Sequence, residues 1–221
     1  MSSNKKDSVR LIPLGGIGEI GKNMLVVEYG SDIVVVDSGL MFPDEEMFGV
    51  DLVIPDVAYL EENRERIRGI VLTHGHEDHI AGIANLVNVR NIAPGDRDKP
   101  LNLYYPRHDK WINELIAYIE RKQSGLIRFP LFAQPLEPGD EVVLEGAHRP
   151  TRVTAFSMKH MVGQLALGYE VEEERKLVDP STGQTLQRYH PVFLYTGDGC
   201  DVEHRPFGRA DIAVHEATFL A

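Results

Sequence analysis

Residues 73–79 read Thr-His-Gly-His-Glu-Asp-His and follow directly on the apolar run Ile70-Val71-Leu72. Neutral imidazole nitrogens and carboxylate oxygens are the donor set of zinc, and of manganese where oxygen ligands predominate. His74 and His76 alternate by two, so an extended backbone presents both on one side. Asp78 and His79 are neighbours and reach a second point nearby. One short loop can therefore supply ligands to two cations. The pattern differs from the helical His-Glu-x-x-His of zinc proteases in both its histidine spacing and its glutamate position. Read without a metal, the same residues make a solvated loop in which Asp78 caps the following helix. Ligating residue types at these spacings favour the metal.

Such a loop must be delivered by an element that stops just before it and one that starts just after. Ile70–Leu72 reads as a buried strand, and the apolar positions 80, 83, 86 and 87 have helical spacing, so the histidines sit at a strand-to-helix junction. Upstream, VRLIPL, NMLVVEYG and DIVVVDSG read as strands, with Gly30-Ser31 turning the second into the third as an antiparallel hairpin. Residues 51–68 read as a loop leading into a helix, and 91–100 as a loop. Apolar residues at 111, 112, 115, 116 and 119 predict an amphipathic helix, with Trp111 in the core and Gly125 as a stop. The second half returns to strands: DEVVLEG, TRVTAFSM, QLALGYEVEEE, PVFLYTGD and ADIAVHEAT. RKLVDPSTGQTLQRYH reads as an exposed hairpin turning on Asp-Pro-Ser-Thr-Gly. This succession predicts an α/β layered architecture.

Gly16-Ile17-Gly18-Glu19-Ile20-Gly21 matches the glycine spacing of a dinucleotide-binding turn. That turn must open a helix facing a pyrophosphate. The residues that follow, NMLVVEYGSDIVVVD, are β-branched and broken by a turn, so the glycines are read instead as a tight backbone turn near a site.

The chain has 221 residues, 43% of them hydrophobic, which suits a single folded domain over 1–221 and excludes a disordered chain. No apolar run reaches membrane-spanning length and the polar start is unlike a signal peptide, so no membrane partner and a cytoplasmic location are expected. The lone Cys200 fits a reducing compartment and is read as a small packed residue rather than a ligand. Thirty-four acidic against 23 basic residues give a net charge of −11. A protein gripping nucleic acid needs a basic face, so either basic residues cluster locally or the substrate is small, and bound cations would offset part of the acidity.

The run His74-x-His76-x-Asp78-His79, with Asp37 ending an earlier strand, resembles the metallo-β-lactamase superfamily. The resemblance implies an αββα sandwich, incomplete at its C-terminal side. Residues 9–80, from LIPLGGIGEIGKNMLVVEYG through RIRGIVLTHGHEDHI, resemble bacterial ribonuclease J. PLEPGDEVVLEG, SMKHMVGQLALGYEVEE, YTGDG and ADIAVHEATFL are closer to ribonuclease Z. Position by position, the resemblance implies two divalent cations, zinc with manganese as the alternative. His74, His76 and His160 would hold one, Asp78 and His79 the other, and Asp198 would bridge them. It implies catalytic roles for Asp78, for Asp37 by orienting a ligand histidine, and for Glu216 in proton transfer. A further ligand histidine and the partner of Glu216 are expected past Ala221, with His215 the nearest substitute by order. On this pattern the chain is a fragment or its second metal binds weakly. No β-CASP domain is expected in it.

The function implied is hydrolysis of RNA phosphodiester bonds by a hydroxide bridging the two metals, with RNA as partner and a homodimer left open. Two alternatives stand beside it. One is hydrolysis of a small anion such as a cyclic nucleotide, thioester or lactone. The other is a truncated, non-catalytic metal-binding chain.

Overall fold

The computed structural model describes residues 9–44, 46–92, 100–122, 127–145, 150–160, 165–173, 175–179, 181–189, 191–198, 201–202 and 210–214. The chain divides into two compact units, Met1–Pro135 and Leu136–Ala221.

The first unit carries strands β1 (Val9–Gly15), β2 (Met24–Tyr29), β3 (Asp32–Val36), β4 (Ile67–Val71), β5 (Leu101–Pro106) and β6 (Leu131–Leu136). Its helices are α1 (Ala58–Glu62), α2 (Glu77–Ile80), α3 (Ile83–Ile92) and α4 (Lys110–Lys122), with a 3-10 turn at Arg64–Arg66. The strands form one sheet in chain order. β1, β2 and β3 are antiparallel neighbours, joined in the second case by the Gly30-Ser31 turn as expected. β3, β4 and β5 run parallel. All five residues of β3, Asp-Ile-Val-Val-Val, are buried, as in parallel strands covered on both faces. Val36 pairs with Val71 at the ends of β3 and β4, so the segments beginning at Asp37 and Leu72 leave the sheet side by side. Loops at the C-terminal ends of parallel strands are where α/β sheets build their sites.

The core joins Val26, Ile33, Val35, Ile70, Leu72 and Leu103 of the sheet to Ile83, Val87, Ile112, Ile116 and Ile119 of the helices. Asp109 opens α4, its Oδ1 accepting the Ile112 N–H at 3.1 Å, which satisfies one of the free amides of a helix start. Trp111 departs from its expected place in the core, being 56% exposed. Successive helical residues are about 100° apart, and a stripe centred on 112, 116 and 119 leaves 111 at its edge.

Glu28 of β2 is buried and accepts hydrogen bonds from the Tyr59 hydroxyl and from Arg10 Nη1 at 3.2 Å, with Arg66 Nη2 at 2.9 Å. Arg66 also donates to the carbonyls of Gly30 and Ser31, at 2.9 and 3.3 Å, fastening the β2–β3 turn to the 3-10 turn. Burial pushes the Glu28 carboxyl up, but the hydrogen bonds from Tyr59 and Arg66 and the charges of Arg66 and Arg10 outweigh it and hold the group below its ordinary value of 4.5.

The second unit holds β7 (Glu141–Leu144), β8 (Thr151–Lys159), β9 (Leu165–Glu173), β10 (Arg175–Val178), β11 (Thr185–Tyr189), β12 (Val192–Tyr195), β13 (Asp201–Val202) and β14 (Ile212–Val214). Its main sheet has the order β13-β8-β9-β12-β14, with β7 also pairing β8, while β10 and β11 form a separate hairpin. In the long β8–β9 ladder Phe156 pairs with Gly168. The Phe156 ring lies where a side chain at 168 would go, a Cβ there standing 2.2 Å from Cζ, so glycine opposite the ring is a packing requirement. Among the described residues no helix is long and apolar enough to cross a membrane.

Gly168→Ala is therefore expected to cost about 1–3 kcal/mol by forcing Phe156 aside, measurable by urea unfolding. Because Glu28 has a lowered folded pKa, its contribution is complete above about pH 4.5 and is lost as pH falls through the folded value. The gap in thermal midpoint between wild type and Glu28→Gln should accordingly be constant near neutrality and close below about pH 4.5.

Candidate metal centre

Asp37–Leu40, the segment leaving β3, is wedged between Asn23 and the start of α2. The Asp37 N–H donates to the Val71 carbonyl at 2.9 Å, Ser38 N–H to His79 at 2.7 Å, Gly39 N–H to Asn23 at 3.0 Å and Leu40 N–H to Glu77 at 3.3 Å. From the other side, Asn23 N–H donates to the Asp78 carbonyl at 2.9 Å and Gly82 N–H to Ser38 at 2.7 Å. Gly39 permits this approach, since a Cβ there would stand 1.5 Å from the Asp78 carbonyl oxygen. Gly75 is similarly constrained, a Cβ there lying 2.1 Å from Asp109 Oδ1.

This wedge gathers the expected site residues of the first unit. His74 and His79 are buried, and His76 and Asp78 are half-buried. The His74 ring centroid lies 4.6 Å from that of His76 and 4.1 Å from that of His79. Asp37 is fully buried and takes a left-handed backbone, φ 59°, a region that Asp tolerates better than most residues. Its Oδ1 accepts the Thr73 N–H at 2.8 Å, and its Oδ2 accepts the Thr73 hydroxyl at 2.9 Å and His79 Nδ1 at 2.8 Å.

These contacts decide which ring nitrogens carry protons. The Asp37 carboxylate accepts, so His79 Nδ1 is the protonated nitrogen and Nε2 keeps a lone pair. The Thr73 hydroxyl donates to Asp37 and so accepts from His74 Nδ1, 3.0 Å away. His74 thus also keeps Nε2 as its lone-pair nitrogen. That tautomer is the one a divalent cation requires, with the far nitrogen held by a hydrogen-bond acceptor. His79 Nε2 stands 3.7 Å from Asp78 Oδ2, close to the ~3.4 Å between two tetrahedral ligands of one cation. The donor set therefore fits a divalent metal.

Thr73 and Asn23 were not singled out in the sequence. Thr73 carried a signal by adjoining the histidine motif. Asn23 carried none, lying far back in the chain after the glycine run, whose Gly16, Gly18 and Gly21 all have positive φ. The tight turn read there places Gly16 against the Asn23 side chain.

In the second unit His160 follows β8 and Asp198 follows β12, and the two are neighbours, with His160 Nδ1 3.4 Å from the Asp198 carbonyl oxygen. Gly197, between β12 and Asp198, turns with φ 57°. Glu216, His215 and Cys200 lie outside the described residues, as does the expected helix stop at Gly125.

A cleft of about 1120 Å³ opens beside the first unit's cluster, with His76 and Asp78 in its wall. Ile20, Phe42, Met47 and Trp111 give it an apolar side, and Glu19, Asp44 and Glu77 an acidic one.

The sequence profile of the metallo-beta-lactamase superfamily matches residues 17–171. The chain belongs to this superfamily. Its α/β fold is the metallo-β-lactamase fold anticipated from the sequence, and human tRNase Z, short form, superposes with a TM-score of 0.54 at 16% identity, over 88% of this chain and 70% of that one. Ribonuclease J2 of Bacillus subtilis is 53% identical over 88 residues, which make up 40% of this chain and 16% of that protein. Ribonuclease J 2 of Staphylococcus saprophyticus is 54% identical over 127 residues, 57% of this chain and 23% of that protein. This member of the superfamily thus matches less than a quarter of the length of either ribonuclease.

Asp37→Ala leaves two Thr73 donors and His79 Nδ1 in the interior without their acceptor, and a loss of about 3 kcal/mol or more is expected in denaturant unfolding. Asp37→Asn tolerates the backbone, retains one acceptor oxygen and should cost less stability, yet lower divalent-metal affinity by about 10–100-fold in a chelator-competition titration.

Proposed function

We propose that the chain is a zinc-dependent hydrolase of RNA phosphodiester bonds. The observation that carries this reading is the convergence of His74, His76, Asp78 and His79 at the C-terminal end of β4, with two of the rings held in the ligating tautomer by Thr73 and Asp37. The likeness to proteins named ribonuclease J at more than half identity supports RNA as the substrate class.

In this reading His74, His76, Asp78 and His79 hold divalent cations. His160 and Asp198 keep, as part of the proposal, the ligand roles that the motif resemblance implies, and Glu216 keeps its proton-transfer role. Bound cations supply a nucleophile at neutral pH and offset charge building on the non-bridging phosphate oxygens. The chain's own part is positional. Asp37 fixes the His79 ring, Thr73 fixes His74, and the cleft beside His76 and Asp78 receives the strand, with Trp111 and Phe42 as flat surfaces on which bases stack. A cytoplasmic setting accords with RNA turnover.

A second reading, hydrolysis of a small anion, is favoured by one observation. Glu19, Asp44 and Glu77 edge the cleft, and acidic walls repel a polyanion more than a compact substrate.

Stripping metal with a chelator should abolish cleavage of single-stranded RNA, and added zinc should restore it. His76→Ala and Asp78→Ala should each lower the zinc-restored rate by about 100-fold or more. Undiminished RNA cleavage in both variants refutes the metal mechanism. A zinc-loaded protein that spares RNA but hydrolyses cyclic nucleotides moves the assignment to the second reading. Trp111 is the chain's one tryptophan, so RNA entering the cleft should change its fluorescence.

A further inference from the structure

Asn23 has no part in the ligand set, yet it touches the atoms that a cation would need. Its Nδ2 lies 2.8 Å from His79 Nε2 and 3.3 Å from Asp78 Oδ2. The residue is buried and held on both sides by backbone, Asn23 N–H donating to Asp78 and Gly39 N–H donating to Asn23. Its Oδ1 lies on the far side, against Gly16, where a Cβ at 16 would stand 2.3 Å from it. The amide oxygen therefore faces the glycine turn and the amide N–H groups face the pair.

The proton inventory agrees with this orientation. His79 Nδ1 donates to Asp37, which leaves Nε2 as an acceptor, and a carboxylate oxygen is an acceptor as well. The Asn23 amide satisfies both. A ring nitrogen has one lone pair, which can be given to an N–H or to a cation but not to both.

We propose that Asn23 is a built-in competitor for the cation that Asp78 and His79 hold. The inference rests on the metal reading above and adds a regulatory term to it. The amide keeps Asp78 and His79 paired and satisfied, and a cation must displace it to enter. Asn23 stabilises only the form in which its N–H groups occupy those acceptors, so it lowers the affinity of this pair for metal and ties occupancy to the free zinc concentration. The Asn23 backbone bonds survive displacement, since only the side-chain amide has to turn away.

Zinc chloride titration in competition with a chromophoric chelator, together with thermal unfolding with and without zinc, tests this on the whole chain. Asn23→Ala removes two hydrogen bonds from one side of the exchange and should bind zinc about tenfold more tightly than wild type. Its midpoint without zinc should fall by about 2–4 °C, and the zinc-induced rise should grow. Asn23→Ala combined with Asp78→Ala should lose the gain, which places it at this pair. A merely structural asparagine predicts the opposite sign, because damage to the site weakens binding. Should Asn23→Ala fail to fold, Asn23→Ser, whose side chain is too short to reach His79, carries the same expectation. Equal or weaker zinc affinity in the foldable variant overturns the competitor while leaving the metal reading intact. A wild-type protein that takes up no zinc overturns the metal reading and this inference together.

Discussion

A single buried carboxylate ties the first unit's site to its sheet. Asp37 leaves β3 beside the end of β4 because those strands are parallel and in register at Val36 and Val71. From there it accepts the Thr73 N–H, the Thr73 hydroxyl and His79 Nδ1. Residues held at positive φ without being glycine cost free energy and persist where their surroundings over-determine them. Here the surroundings are the backbone bonds of Ser38, Gly39 and Leu40, which grip the first turn of α2 and Asn23. Remove the carboxylate and the strand end, both histidine tautomers and the seating of α2 lose their common anchor.

Much of this was legible in the sequence, for reasons local to each element. The β1–β3 meander shows in short β-branched runs broken by Gly30-Ser31, and α4 shows in its 112, 116 and 119 spacing. The histidine loop announces itself because ligating residue types at alternate and adjacent positions have few structural uses. What stayed hidden depends on neighbours distant in the chain. Nothing near Asn23 records that Asp78 and His79 will pack against it, more than fifty residues later. Trp111 failed for a different reason. A helical stripe has edges, and an aromatic residue at an edge reads as apolar whether the surface beside it is covered or open.

The first unit sets two environments side by side. Around Asp37 both carboxylate oxygens are paired and buried, whereas the cleft past His76 is wide, apolar on one flank and acidic on the other. Rigid imidazole rings beside an accommodating cleft separate two tasks, since ring orientation is set from below while the space above can admit groups of different size.

Among the described residues β10 and β11 pair only with each other. The tip of their hairpin is organised by its own chain, with Ser181 N–H and Oγ both donating to Asp179 Oδ1 and every described residue from 181 to 188 exposed. Local bonds of this kind hold the Asp179 carboxyl below its ordinary range and ask nothing of the core. Such a ribbon is free to lengthen, shorten or carry an appended tag while the ladders behind it keep their register, which makes it the natural point at which to attach the molecule to a surface or a reporter.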